Sequence, residues 1–367
     1  MKKNFLLILM SCLYTVAINS QTLNVFEANG KYGYKDATGK IVIAAKYDAT
    51  SNFIDNIAAV TINKKSGIID KNGNQLTKLI YDSFMPEPNH SIIWVTIGKK
   101  IGLINFQGKE LTAVQFDETK YFYEQKLAPV KKGELWGFID TNGKEIVPFK
   151  YKSANYFTNE RARVSNDTGI GFIDEKGKEI IPLQIEEADF FDDFGICLVK
   201  HKGSYEMIDK NGEDVSPPYK KIERFKSNVY AAIPYGNKDC YNFVDSKNQI
   251  IKTTTFTQLF YPFENEKVVL WRVANKDGKY GFINTDLNLV INTIYDDAAF
   301  YFMNGLCPVK LNNKWGVIDV TGKTIIPFQY DSIKIKLDLT TSTYKNYKVS
   351  KDNKEFIIDP KGTIVKE

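Results

Sequence analysis

The sequence predicts an all-β protein: a tandem array of about ten three-stranded meander repeats of roughly 35 residues each. Three observations carry this. A marker Asp or Asn returns at Asp36, Asp70, Asn105, Asp140, Asp174, Asp209, Asp245, Asn284, Asp319 and Asp359, at intervals of 34 to 40 residues. Glycine stands three residues past the marker in eight of the ten copies, as in Gly39, Gly143 and Gly322. An upstream run ends at Val60, Val95, Val130, Val164, Val199, Val309 and Val349, each six residues before the position that Trp136 holds in its own copy.

Each element follows from its residues. The first strand alternates, with a small residue two before the valine (Ala58, Ala128, Ala162, Cys197, Cys307). In the second strand Trp136, Phe138 and Asp140 point one way, and Gly137 and Ile139 the other. Both faces are apolar, as expected of a meander packed between neighbours. The glycine beside the tryptophan is expected to admit a ring or backbone from the adjoining unit. Asp-x-x-Gly then reads as a hairpin turn, because Asp accepts backbone N–H groups and Gly tolerates positive φ. Asn248 and Leu287 replace the glycine in two copies. A third run, such as Glu145-Ile146-Val147-Pro148, leads into an aromatic linker, Phe149-Lys150-Tyr151 to Tyr156-Phe157.

A unit of this size cannot bury its own apolar face, so stability must come from neighbours. Three strands per unit and about ten units depart from usual propeller blades. The expected arrangement is an open, curved or superhelical solenoid; the alternative is a closed or partly closed propeller-like ring. No low-complexity linker divides the array, which is placed at residues 21–367.

Trp136-Gly137-Phe138-Ile139-Asp140 with Gly143-Lys144-Glu145, and Lys314-Trp315-Gly316-Val317-Ile318-Asp319 with Gly322-Lys323, resemble the WG-repeat family of bacterial β-rich repeats. The resemblance covers nearly all of the chain after its N-terminal segment. Several copies depart from it, with Ser66-Gly67, Ile101-Gly102, Ile170-Gly171, Tyr205-Glu206, Tyr241-Asn242 and Glu355-Phe356 in place of Trp-Gly. The resemblance implies a repeat scaffold and carries over no catalytic residue.

Residues 1–20 read as a secretory signal peptide: Lys2 and Lys3, an apolar stretch from Phe5 to Ile18, and cleavage after Ser20. Lipoprotein processing at Cys12 is the alternative. No later stretch is long and apolar enough for a membrane-spanning helix. Loss of Lys2 and Lys3 takes the formal charge from +5 to +3. The charges are interspersed beside turns, which reads as a solvated surface and not as a nucleic-acid interface. Cys197, Cys240 and Cys307 are an odd set, which argues against a disulfide framework. Cys197 and Cys307 take small core positions, whereas Cys240 takes a position held elsewhere by Lys31, Lys279 and Lys314 and is a candidate for exposure and reactivity.

Catalytic, cofactor and metal constellations are not found in the sequence. His90 and His201 fall in different copies without ligand spacing. The glycines follow the repeat and form no phosphate loop. Asp70, Asp140, Asp174 and Asp319 recur because turns favour them; calcium at such turns would have one carboxylate each. The expected function is an exported, non-catalytic scaffold for protein or peptide, with carbohydrate binding as the alternative. The candidate binding residues are the first members of aromatic pairs ending the linkers: Tyr121, Tyr156, Phe190 and Tyr301. The second members (Phe122, Phe157, Phe191, Phe302, with Phe53, Phe225 and Phe263) are expected to face the core. The first are then turned outward or into a groove, where aromatics give large contact area with few rotatable bonds.

Overall fold

The computed structural model describes residues 22–122, 125–236, 239–262, 269–338 and 343–366. The signal peptide, its Ser20 cleavage site, Cys12 and Phe263 lie outside them. The protein is all-β, built from three- and four-stranded antiparallel sheets and one of seven strands; the described residues contain no α-helix and only a short 3-10 turn at Pro88–His90.

The copy around Trp136 shows how one repeat forms. Leu127–Lys132 pairs with Leu135–Asp140, with Val130 opposite Gly137. Asp140 Oδ1 then accepts the N–H groups of Asn142 and Lys144, each at 2.9 Å, and Gly143 takes φ +78°. The chain returns as Glu145–Tyr151. A two-residue strand from the preceding linker, Glu118–Thr119, adds a fourth strand ahead of the three-strand meander.

The third strand is bulged. Trp136 faces Tyr151 and Phe138 faces Val147, so Gly137 alone opposes three residues. A Cβ on Gly137 would stand 2.6 Å from the Val147 carbonyl oxygen, and the same clash recurs for Gly33, Gly171, Gly281 and Gly316. The backbone that needs this glycine therefore belongs to its own repeat and not to the adjoining unit. The reason is the bulge, which throws the third strand across the second.

The chain forms two compact units. One holds the described residues up to Phe157, with Val164–Asp167 and Glu175–Lys178; the other holds Thr158–Arg163, Thr168–Asp174 and those from Glu179 on. In each, the core lies between successive sheets. In the first unit Trp94 and Leu103 of one copy pack with Phe122, Ala128, Val130 and Ile139 of the next. In the second, Phe282 and Ile291 pack with Phe302, Cys307, Val309 and Ile318. The second strand Leu135–Asp140 has four consecutive buried residues, as a layer covered on both faces requires.

An acid at the end of the third strand links neighbours. Asp82 accepts a hydrogen bond from Lys65 Nζ of its own copy at 2.6 Å and from the Gly98 N–H of the next hairpin at 2.7 Å. Asp117 does the same with Lys100 and Gly133. Asp48, Asp296 and Asp331 repeat the pattern with Lys31, Lys279 and Lys314. In the copy of Trp136 both partners change together: Leu135 takes the lysine position and Lys152 the acid position, and Lys152 pairs with Asp167.

At most of these acids the chain bends and a new sheet starts. At Lys220 it does not. Tyr219–Lys226 runs straight from its bridge with Tyr205 into pairing with Val229–Pro234, which fuses two repeats into the seven-stranded sheet.

Candidate functional site

The linker aromatics divide as their alternation requires. The second members Phe122, Phe157, Phe191, Phe225 and Phe302 are buried, and Phe53 is half-buried. Four of them meet a buried ring of the second strand edge-on: Phe157 on Phe138, Phe191 on Phe172, Phe225 on Phe243 and Phe302 on Phe282.

The first members are neither core nor free. Tyr121 is half-buried and meets Trp94 edge-on at 5.9 Å. It is held at φ +57°, a conformation that costs a non-glycine residue about 1 kcal/mol or more. Its N–H donates to Thr119 Oγ1. Glu87 fixes the surroundings by accepting from Trp94 Nε1 at 2.6 Å and from the Phe122 N–H at 3.0 Å. Lys120 ties this linker to the next through the Ala154 carbonyl and Asn155 Oδ1. Tyr156, in the same unit, is half-buried. In the other unit Phe190 is 41% exposed and one ring face carries the Arg163 guanidinium at 4.3 Å. Tyr301 is half-buried, and its neighbour Phe300 takes the exposed place, at 64%. The four residues chosen from the sequence thus fall two in each unit, and Phe300 belongs with them.

One rule covers these contacts. In three copies the residue just before the valine of the first strand braces the aromatic of the linker that follows. Trp94 does this for Tyr121, Arg163 for Phe190, and Arg272 for Phe300 at 4.3 Å. Both arginines also donate through Nη1 to a linker carbonyl, Ala188 and Ala298 respectively. Sequence reasoning missed Arg163 and Arg272. The signal was a cation in an otherwise apolar strand position, held elsewhere by Ala59, Pro129 and Pro308.

The remaining candidates have structural places. Burial pushes the Cys197 thiol up to about 12, and Cys307 is pushed up for the same reason. Cys240 is also buried, at 9% exposure, which corrects the expectation of an exposed, reactive thiol. Its lysine counterparts Lys31, Lys279 and Lys314 reach out to an acid, a reach the short Cys240 side chain lacks. His90 lies tilted against Phe122 at 5.6 Å between ring centres, and His201 lines a cleft with Glu206 and Asp214. Among the described residues no group of three His, Cys, Asp or Glu side chains is placed to hold a metal. The turn carboxylates are engaged by backbone; Asp319 and Asp359 lie below the usual carboxylate range through hydrogen bonds from Thr321 and the Thr363 N–H.

The WG containing repeat matches residues 32–65, 67–100, 101–136, 136–167, 170–205, 280–315 and 315–334, together more than half of the chain. The chain belongs to the WG containing repeat family. The longest stretch unmatched by WG repeats, 206–279, holds Glu206 and Asn242 in place of the glycine, together with most of the fused sheet. No curated protein matches the sequence. Among solved structures, a eukaryotic initiation factor is similar at 10% identity and TM-score 0.34, over 84% of this WG-repeat chain and 95% of the other. BamB from Moraxella catarrhalis is similar at 9% identity and TM-score 0.29, over 87% and 98%. Hsv2 from Kluyveromyces lactis gives 9% and 0.28, over 71% and 95%. Among the described residues no helix is long and apolar enough to cross a membrane.

Proposed function

We infer that this WG-repeat protein is an exported, non-catalytic scaffold that binds protein or peptide at the cell envelope or outside the cell. The observation that carries the reading is the braced linker aromatic. Tyr121, Phe190 and Phe300 each keep part of a ring in solvent while a strand residue holds it in place. A ring fixed before binding loses little side-chain freedom on contact, which favours recognition of an extended chain. Export rests on the Lys2-Lys3 start and the apolar stretch to Ile18. The non-catalytic reading is supported by the turn aspartates Asp140 and Asp319, whose Oδ1 atoms accept backbone N–H groups as turns require.

Capture from cell-envelope extract tests this. Wild type is expected to retain a defined protein that Tyr121→Ala and Phe190→Ala release without unfolding. Retention by both variants would remove the aromatics from the site. A glycan array run in parallel decides the second reading, carbohydrate binding, which the exposed rings of Phe190 and Phe300 favour. Mass-spectrometric sequencing of the mature N-terminus tests export: Gln21 is expected, and an intact Met1 would refute it.

A further inference from the structure

Arg272 is the most deeply buried cation among the described residues, at 4% exposure. Its guanidinium lies 4.0 Å from the Phe260 ring, 4.3 Å from Phe300 and 4.9 Å from Tyr280. Aromatic faces attract a guanidinium but do not satisfy its five N–H donors. Among the described residues its one hydrogen bond is from Nη1 to the Ala298 carbonyl and Nε is buried without a partner; Asp297 acts on it through space without a direct ion pair. Burial presses its pKa below the ordinary value. Arg163, its counterpart, shares the carbonyl and one ring but is only half-buried, so bracing alone does not require this degree of desolvation.

Arg272 also lines a cleft of about 530 Å³, a volume within the range of small-ligand sites. Tyr280, Phe300, Trp315 and Ile335 give it apolar walls, and Lys334 adds a second cation. Asp297 is the one carboxylate in the lining; its Oδ1 accepts the Ala298 N–H. Two cations against one carboxylate, with aromatic walls, suit an anion carried on an apolar group.

We propose that this cleft binds a peptide carboxylate, with Arg272 and Lys334 facing the charge and Phe300 and Trp315 holding the adjacent apolar side chain. A carboxylate takes two parallel hydrogen bonds from a guanidinium, which a neutral amide cannot match. The apolar walls favour a hydrophobic peptide end over a polyhydroxylated acid. The cleft shares Phe300 with the braced aromatics, so the proposal deepens that reading at one of its sites; its readout, acid against amide, is distinct from partner capture tested at Tyr121 and Phe190.

Calorimetric titration of the whole chain with N-acetyl-phenylalanine, N-acetyl-phenylalanine amide and galacturonate tests it. The acid is expected to bind saturably and the amide about tenfold more weakly, the factor set by one hydrogen bond to a charged group. Lys334→Gln, at an exposed position, is expected to weaken the acid and leave the amide unchanged. Arg272→Gln is expected to abolish the difference; if that variant fails to fold, the acid–amide comparison on wild type still decides. Equal binding of acid and amide, or no binding of either, overturns the proposal. Tighter binding of galacturonate than of the acid overturns the peptide assignment.

Discussion

Lys252 Nζ donates a 2.5 Å hydrogen bond to the carbonyl oxygen of Leu287, and both residues depart together from the pairing of a bulky residue with a glycine seen in the regular copies. In eight copies the turn position holds glycine, which in several packs on a bulky third-strand residue of the preceding copy, as Gly73 does on Ile43 and Gly322 on Ile291. Here Lys252 takes the bulky position, opposite Phe243, and Leu287 takes the glycine position at φ +64°. Leu287 fills the space with a buried side chain among Phe243, Phe256 and Trp271.

Leu287→Gly should therefore destabilise the chain. Loss of a buried leucine costs about 2–5 kcal/mol, and release of the positive φ returns about 1 kcal/mol. Lys252→Ile alone should also destabilise, by crowding Leu287. The double variant restores the common pairing and should recover more than 1 kcal/mol of the summed losses, roughly the scale of coupling between touching residues. Urea unfolding of the four proteins measures this; strict additivity would show that the exchange is not complementary.

Gly137→Ala and Gly133→Ala separate two reasons for glycine. A Cβ at Gly137 meets the Val147 carbonyl at 2.6 Å, whereas at Gly133 nothing lies within 4 Å but φ is +64°. The first should cost about 3 kcal/mol or more, as overpacking against backbone that cannot move away. The second should cost about 1 kcal/mol, for the left-handed backbone alone. Melting temperatures in that order are expected; a milder effect at Gly137 would mean that the bulge relaxes.

Acid should loosen the links between copies. A lysine hydrogen bond first, and then a backbone N–H, hold Asp48, Asp82, Asp117, Asp296 and Asp331 below the ordinary 3.8. A carboxyl with a lower pKa folded than unfolded binds fewer protons when folded. Its stabilisation is present above the unfolded value and lost as pH falls through the folded one. Stability should fall as the pH drops below about 4, and Asp117→Asn with Asp296→Asn should flatten that fall. Thermal melts against pH check both; an unchanged slope in the double variant would place the acid sensitivity elsewhere.

Tyr121→Ala should cost about 1–3 kcal/mol, because the half-buried ring braces Trp94, while Phe190→Ala should cost about 1 kcal/mol or less. Denaturation of each variant checks the order. An equal, large loss in both would make Phe190 a core residue despite its exposure.

Much of this was legible in the sequence. The marker and its glycine announce the hairpin, because turn chemistry is local. Burial of Phe122, Phe157 and Phe191 follows from alternation alone. The two-residue strand Glu118–Thr119 was not legible, since so short a pairing leaves no period. The need for glycine at Gly137 reads from the sequence as an approach by the adjoining unit, because the register shift that causes it is invisible in an apolar pattern. The exchange of Lys252 and Leu287 joins residues 35 positions apart, so each alone looks like erosion. Arg272 shows its charge in the sequence, but its burial without a direct ion pair is a property of the packing.

The acid that reaches the next hairpin also sets where a copy can change length. Asp48 spans 15 residues to the Asn63 amide, Asp296 spans 17 to Asn313, and Asp331 spans 21 to Asp352. The last contact survives the longer connection, because doubling a flexible loop adds only about 0.6 kcal/mol of closure entropy. The stretch between linker and following strand is therefore an insertion port. A foreign loop grafted between Asp331 and Asp352 should leave the phase of the neighbouring copies untouched, whereas the same graft in an Asp-x-x-Gly hairpin would break it.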